Sequence, residues 1–345
     1  MAIDGSISER EPRSRSLPLQ RRLRLGRAPR ASPRSARRSD SHLARAAHGQ
    51  LRTSDGLPAP RGQVIQLPDG RALGYAEFGD PAGTPIFFFH GWGGSRLARH
   101  PDDSIAASLG VRVIAVDRPG IGLSDRKPRS TLLDWPEDVA VLADALELPR
   151  FGVLGWSGGG AFAVACAYRL GERVTALGVV SGPGPLVGAD ATVYLRPSWR
   201  RVARMTRVVP WVMRAALWQW GRPVRRDPAR HVETAVASMV DSDRELMADP
   251  RLRMILIQNA AEVYRQGGRG MYEEGLLLAR PWGFRPEDVS VPVHLWHGEA
   301  DLTVPAEMGR HLAKLIPGCR AHFYPDEGHH LLYRRWAEIL SALTA

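Results

Sequence analysis

A chain of 345 residues that is 44% hydrophobic and 24% charged has the make-up of a globular protein with one large domain or two smaller ones. No run of eighteen apolar residues escapes a charge or a glycine, which argues against a transmembrane helix, and Cys166 and Cys319 are too few for a disulfide framework and lack metal-ligand spacing. The formal net charge of +11 raises nucleic acid as a partner, but residues 1–62 hold 14 Arg against 5 acidic residues, so nine of those charges belong to a leader and no nucleic-acid partner is expected of the body.

That leader (1–62), running through "RSRSLPLQRRLRLGRAPRASPRSARRSD", is rich in Arg, Ser and Pro and nearly free of aromatics. It offers too little apolar surface to offset its ordering entropy and is predicted to be disordered. It lacks the apolar core of a secretory signal, and two reduced thiols fit a cytoplasmic protein.

From residue 63 the chain alternates. "GQVIQLPDGRALGYAEFGD" (62–80) reads as a hairpin turning at Pro68-Asp69-Gly70. "PIFFFHG" (85–91) and "VRVIAVDRPG" (111–120) are apolar runs ending in polar loops, as strands buried on both faces would be. A helix is predicted within "STLLDWPEDVAVLADALEL", then strand 151–156, helix 158–170 and strand 174–182. After an interruption come strand 291–298, helix 305–316, strand 321–325 and helix 330–343. Strands alternating with helices predict an α/β fold, a mostly parallel sheet flanked by helices. The core is thus expected in two parts, 63–182 and 291–345. The interruption, 183–290, alternates Trp199, Trp211, Trp218 and Trp220 with arginines and is predicted to form an inserted helical lid.

Functional residues of such sheets sit at the carboxyl ends of strands, where His90, Asp117, Ser157, Asp301 and His329 all fall. "GWSGG" (155–159) fits a G-x-S-x-G nucleophile elbow in the required place, after a strand and opening a helix. Gly155 and Gly159 let strand and helix approach, which lifts the Ser157 hydroxyl clear of the sheet. A serine needs a base, and the base needs an orienting carboxylate. Asp301 in "HGEADLTVP" and His329 in "PDEGHHLL" follow in the expected order. Glu299 is an alternative acid, His330 an alternative base, and Asp301 has a competing use as a helix cap. Gly328 favours projection of His329. The oxyanion donors are expected to be the backbone N–H groups of Gly158 and of Trp92 in "HGWGG". His90 is read as an orienting or structural residue, Asp117 and Arg118 as holding a loop beside the pocket, and Asp125 and Asp134 as loop and helix caps. The glycines of "RQGGRG" (265–270) follow no strand and precede no Lys-Ser/Thr, so they are not a phosphate loop.

In order along the chain, "FFFHGWGGSR", "VIAVDRPGIGLSD", "GVLGWSGGGAFAVACA", "LWHGEADLTVP" and "YPDEGHHLL" make residues 63–343 resemble the α/β-hydrolase fold family, in particular its lid-bearing esterases. The resemblance implies Ser157 as nucleophile, Asp301 as acid and His329 as base. No cofactor and no metal are expected. The expected substrate is a small ester-like molecule with an apolar acyl or aryl group near the scissile carbonyl. The competing expectation is a ligand-binding or signalling protein on the same fold.

Overall fold

The computed structural model describes residues 62–185 and 221–345, with isolated positions 201, 205, 208 and 219 between them. The expected leader, apart from Gly62, and the tryptophans Trp199, Trp211, Trp218 and Trp220 lie outside the described residues.

Among the described residues, eight strands are formed by β1 (Gln63–Gln66), β2 (Ala72–Gly79), β3 (Thr84–Phe89), β4 (Val111–Val116), β5 (Phe151–Trp156), β6 (Val174–Val180), β7 (Val293–Gly298) and β8 (Arg320–Tyr324). They make one sheet in the order β1-β2-β4-β3-β5-β6-β7-β8. The β1–β2 and β2–β4 pairs are antiparallel and every other pair is parallel. The hairpin turns where Pro68-Asp69-Gly70 predicted, with Gly70 at φ +84°.

The two faces separate along a single strand. In β3, Phe88 enters one apolar cluster with Trp296 and Trp336, while Phe87 and Phe89 enter the other with Phe151 and Phe162. Such alternation over a wholly apolar strand requires cover on both sides. Helices α1 (Asp103–Ser108), α2 (Trp135–Ala145) and α3 (Gly159–Arg169) lie between the strands of the first part. The six-residue α1, begun by Asp102 accepting from Ser104 N, had no counterpart in the sequence reading because it is too short for a helical period.

Between β6 and β7 the described chain is helical: α4 (Pro228–Ala237), α5 (Asp241–Leu246), α6 (Pro250–Val263) and α7 (Arg269–Leu278). Asp227 and Asp249 cap α4 and α6, each followed by a proline at the first helical position. Val232, Val236, Leu252 and Val263 bury one side of these helices against the first cluster. The second part of the core adds α8 (Ala306–Leu315), α9 (Leu331–Arg334) and α10 (Trp336–Thr344). The single helix expected over 330–343 is therefore broken, at Arg335, whose backbone leaves helical geometry (φ −101°, ψ 13°).

The crossing of β5 and α3 sets the tightest packing at the sheet's functional end. A Cβ on Gly155 would stand 2.4 Å from the Gly159 carbonyl oxygen, and one on Gly159 would stand 2.1 Å from the Phe89 carbonyl oxygen. Backbone cannot yield as a flexible side chain does, so Gly159→Ala is expected to cost about 3 kcal/mol or more. Gly70→Ala meets nothing within 4 Å and carries only the positive-φ cost, about 1–2 kcal/mol. Urea unfolding of the two variants checks the ranking; equal losses would mean that the crossing has slack.

Candidate active site

Ser157 joins the end of β5 to the start of α3 at φ +53°, a region that a β-bearing residue enters at a cost of about 1–2 kcal/mol. Two backbone bonds secure the turn, Ser157 N to Val180 O at 2.8 Å and Gly160 N to Ser157 O at 2.9 Å. The loop after β3 runs directly against it. A Cβ on Gly91 would lie 3.1 Å from Ser157 Cβ, and one on Gly158 would lie 3.1 Å from Trp92 N. The chain leaves β3 toward β4 and leaves β5 toward β6, on opposite sides, so a crevice opens where the strand order reverses. The Trp92 indole points into the insert and donates to Met271 O at 3.0 Å, while Leu278 Cδ1 would lie 3.0 Å from a Cβ on Gly158. Met271 and Leu278 of α7 thus bring apolar surface to the loops around the serine.

Asp301 follows β7 and His329 follows β8. His329 Nδ1 lies 2.7 Å from Asp301 Oδ2, and both side chains are buried. Asp301 Oδ1 accepts from Thr303 N at 2.7 Å and Val304 N at 2.9 Å, and His297 Nε2 stands 3.5 Å from Oδ2. Burial opposes the Asp301 charge, but His329 and His297 outweigh it and hold the carboxyl well below the usual carboxylate range. Burial likewise pulls His329 down, and the carboxylates of Asp301 and Asp243 more than reverse it, so its pKa lies above the ordinary imidazole value. Trp156 ties this loop to the elbow: its Nε1 donates to His329 O at 3.1 Å, and the two rings are 5.7 Å apart.

The structure separates the alternatives. His330 does not meet Asp301; its Nδ1 lies 3.3 Å from Asp243 Oδ2. Glu299 pairs with Arg310 at the surface. His90 is buried, and burial together with the Arg118 cation holds its pKa well below the imidazole range. Arg118 donates to His90 O at 2.6 Å and Gly91 O at 3.0 Å, fixing the loop that carries Trp92. Asp117 accepts from Arg96 N at 2.7 Å and Leu123 N at 2.9 Å. Asp134 caps its 3-10 turn through Thr131, whereas Asp125 accepts from Ala72 N at 2.8 Å and ties its loop to β2.

Among the described residues, three buried carboxylates of the insert had no place in the sequence reading. Glu262 reaches Arg96 at 2.6 Å, Glu274 reaches Arg118 at 2.5 Å, and Asp243 accepts from the backbone of His329 and His330. His297, four residues before Asp301 at the end of β7, likewise carried no signal in the sequence. Among the described residues no cluster of three or more His, Cys, Asp or Glu could hold a metal ion, and no helix is long and apolar enough to cross a membrane.

The profile of the alpha/beta hydrolase fold matches residues 84–335. The chain belongs to the α/β-hydrolase fold family. It is 35% identical over 131 residues to the dihydrolipoyllysine-residue acetyltransferase component of an acetoin cleaving system of Pseudomonas putida, a match covering 37% of this chain and 34% of that one. The chain thus spans about a third of that relative's length, and under half of the next curated relative that it matches. It is 27% identical to a pimeloyl-[acyl-carrier protein] methyl ester esterase of Nitrosomonas europaea, over 72% of this chain and 89% of that one. Among solved structures, an esterase from Rhodococcus sp. ECU1013 superposes with a TM-score of 0.60 at 23% identity, covering 82% of this chain and 98% of that one.

The coupled pair carries a pH signature. His329 adds stability in full below its unfolded value near 6.5 and loses it as pH rises through its raised folded value. Asp301 acts oppositely, adding stability above its unfolded value near 3.8 and losing it as pH falls through its folded value. Urea unfolding between about pH 6 and about pH 9 is expected to show a decline that shrinks in Asp301→Asn. A decline of equal size in both proteins would assign it to another group.

Proposed function

We propose that this hydrolase cleaves a small carboxylic ester through an acyl-enzyme, with Ser157 as nucleophile, His329 as general base, Asp301 as orienting acid and the N–H groups of Trp92 and Gly158 as oxyanion donors. The observation that carries the reading is the buried 2.7 Å contact between Asp301 and His329, tied by Trp156 to the turn that bears Ser157. Asp301 takes Nδ1, which leaves Nε2 as the ring's proton acceptor.

In this reading the Ser157 hydroxyl passes its proton to His329 Nε2 as its oxygen bonds to the substrate carbonyl carbon. The carbonyl electron pair moves to oxygen, which the two N–H groups receive. The intermediate collapses with loss of the alkoxide, which takes the proton from His329. Water then repeats the sequence on the acyl-serine, releasing the acid and restoring the hydroxyl. Asp301 stays ionised throughout and stabilises the imidazolium.

The ester class is supported by the similarity to the methyl ester esterase of Nitrosomonas europaea. An apolar acyl or aryl group is supported by Met271 and Leu278 beside the oxyanion loops. We take residues 183–290 as a lid whose α7 forms part of the substrate wall.

Ser157→Ala, Asp301→Ala and His329→Ala are each expected to lower kcat on a simple ester by about 10⁴–10⁶. Near-wild-type turnover in folded Ser157→Ala would remove the nucleophile, and wild type without turnover on a graded acyl-ester panel would favour a ligand-binding protein. Leu278→Ala is expected to alter the long-to-short acyl preference more than kcat/KM on an acetate ester. Equal effects on all chain lengths would take Leu278 out of the acyl wall.

A further inference from the structure

Asp243 lies in α5 of the insert, 86 positions before the histidine it touches. Its Oδ2 accepts from His329 N and its Oδ1 from His330 N, both at 3.0 Å, so one carboxylate satisfies two adjacent backbone donors. Gly328 packs so closely that a Cβ there would stand 2.5 Å from Oδ2. Buried backbone N–H groups need acceptors, and the His329 turn draws these two from the insert rather than from the core.

We propose that Asp243 is a positioning residue for the general base: it clamps the backbone of the His329 turn and sets a second negative charge beside the imidazole. The proposal rests on the serine-hydrolase reading. Asp301 fixes the ring through Nδ1, but the ring can aim Nε2 at Ser157 only if the backbone behind it is also fixed. Asp243 supplies that second restraint, and its charge favours the imidazolium formed when Ser157 loses its proton. Burial and the two carboxylates act on His329 in opposite senses, and the carboxylates win. The other ionisable neighbours do not duplicate the role. His297 reaches His329 only through Asp301, the His330 ring stands 5.6 Å away, and Glu327 is taken up by Arg335 at 3.0 Å and Arg334 at 3.3 Å.

Two variants separate charge from position. Asp243→Asn removes the charge and one acceptor, while Gly328→Ala keeps the charge and presses a methyl onto the carboxylate. In Asp243→Asn, kcat is expected to fall about 10²-fold with little change in KM, and the kcat/KM midpoint to move down by roughly one pH unit. NMR titration of the His329 ring in a Ser157→Ala background should show the same downward shift. Gly328→Ala should lose kcat with a much smaller shift. Unchanged kcat and His329 pKa in folded Asp243→Asn would overturn the proposal, as would a fall in melting temperature alone. Should Asp243→Asn not fold, unchanged kcat in Gly328→Ala overturns it. Wild type inactive on every ester would sink the hydrolase reading instead, and the NMR titration would still decide whether Asp243 sets the His329 pKa.

Discussion

The functional end of the sheet depends on one close crossing of backbone. Where β5 turns into α3, Gly155 meets the carbonyl of Gly159, and Gly159 meets the carbonyl of Phe89, with no room for a Cβ on either. A turn this tight forces the residue between them into positive φ, and that residue is Ser157. The strain is held because everything around it is buried and bonded: β6 accepts from the Ser157 amide, and the β3 loop lies against its Cβ. The same crossing brings the first turn of α3 beside the Ser157 side chain.

A second constraint comes from charge. Each of three insert carboxylates grips a different part of the core: Glu262 the Arg96–Asp117 pair, Glu274 the Arg118 that fixes the β3 loop, and Asp243 the His329 turn. Buried ions contribute little to stability when paired, yet losing one partner costs about 3–5 kcal/mol. Parting α5, α6 and α7 from the core would strand several at once. The contacts therefore act as registry pins that hold α5, α6 and α7 to the core.

The legible parts of the site are those written in local spacing. The elbow, the HGWGG loop, the acid turn and the histidine turn each occupy a few consecutive residues at a strand end, and their glycines mark the backbone geometry. The strand order was less legible, because nothing in the β4 segment says that it lies between β2 and β3. The pins were illegible for a different reason. Asp243, Glu262 and Glu274 sit on polar faces of short amphipathic helices, where an acid reads as solvated. Their partners stand 86, 166 and 156 positions away. Only folding reveals that these faces point inward. His297 was hidden by its strand: it continues an apolar run, and nothing local tells a packed ring from one beside a carboxylate.

In the proposed reading, such pins bear on the chemistry of the Asp301–His329 pair as well as on packing. A general base must be neutral to accept the serine proton, yet the imidazolium it becomes must be stabilised, so each added carboxylate helps the second need and harms the first. Burial works against the charged ring whatever its partners, and at His329 the two carboxylates outweigh it. Asp301 remains ionised because two backbone N–H groups take one of its oxygens and two histidines face the other. With Asp301 on the ring and Asp243 on the backbone behind it, the two negative charges approach His329 from different parts of the chain, one from the core and one from the insert. In the proposed reading, the basicity of His329 is therefore a joint property of core and insert, since a carboxylate from each raises it.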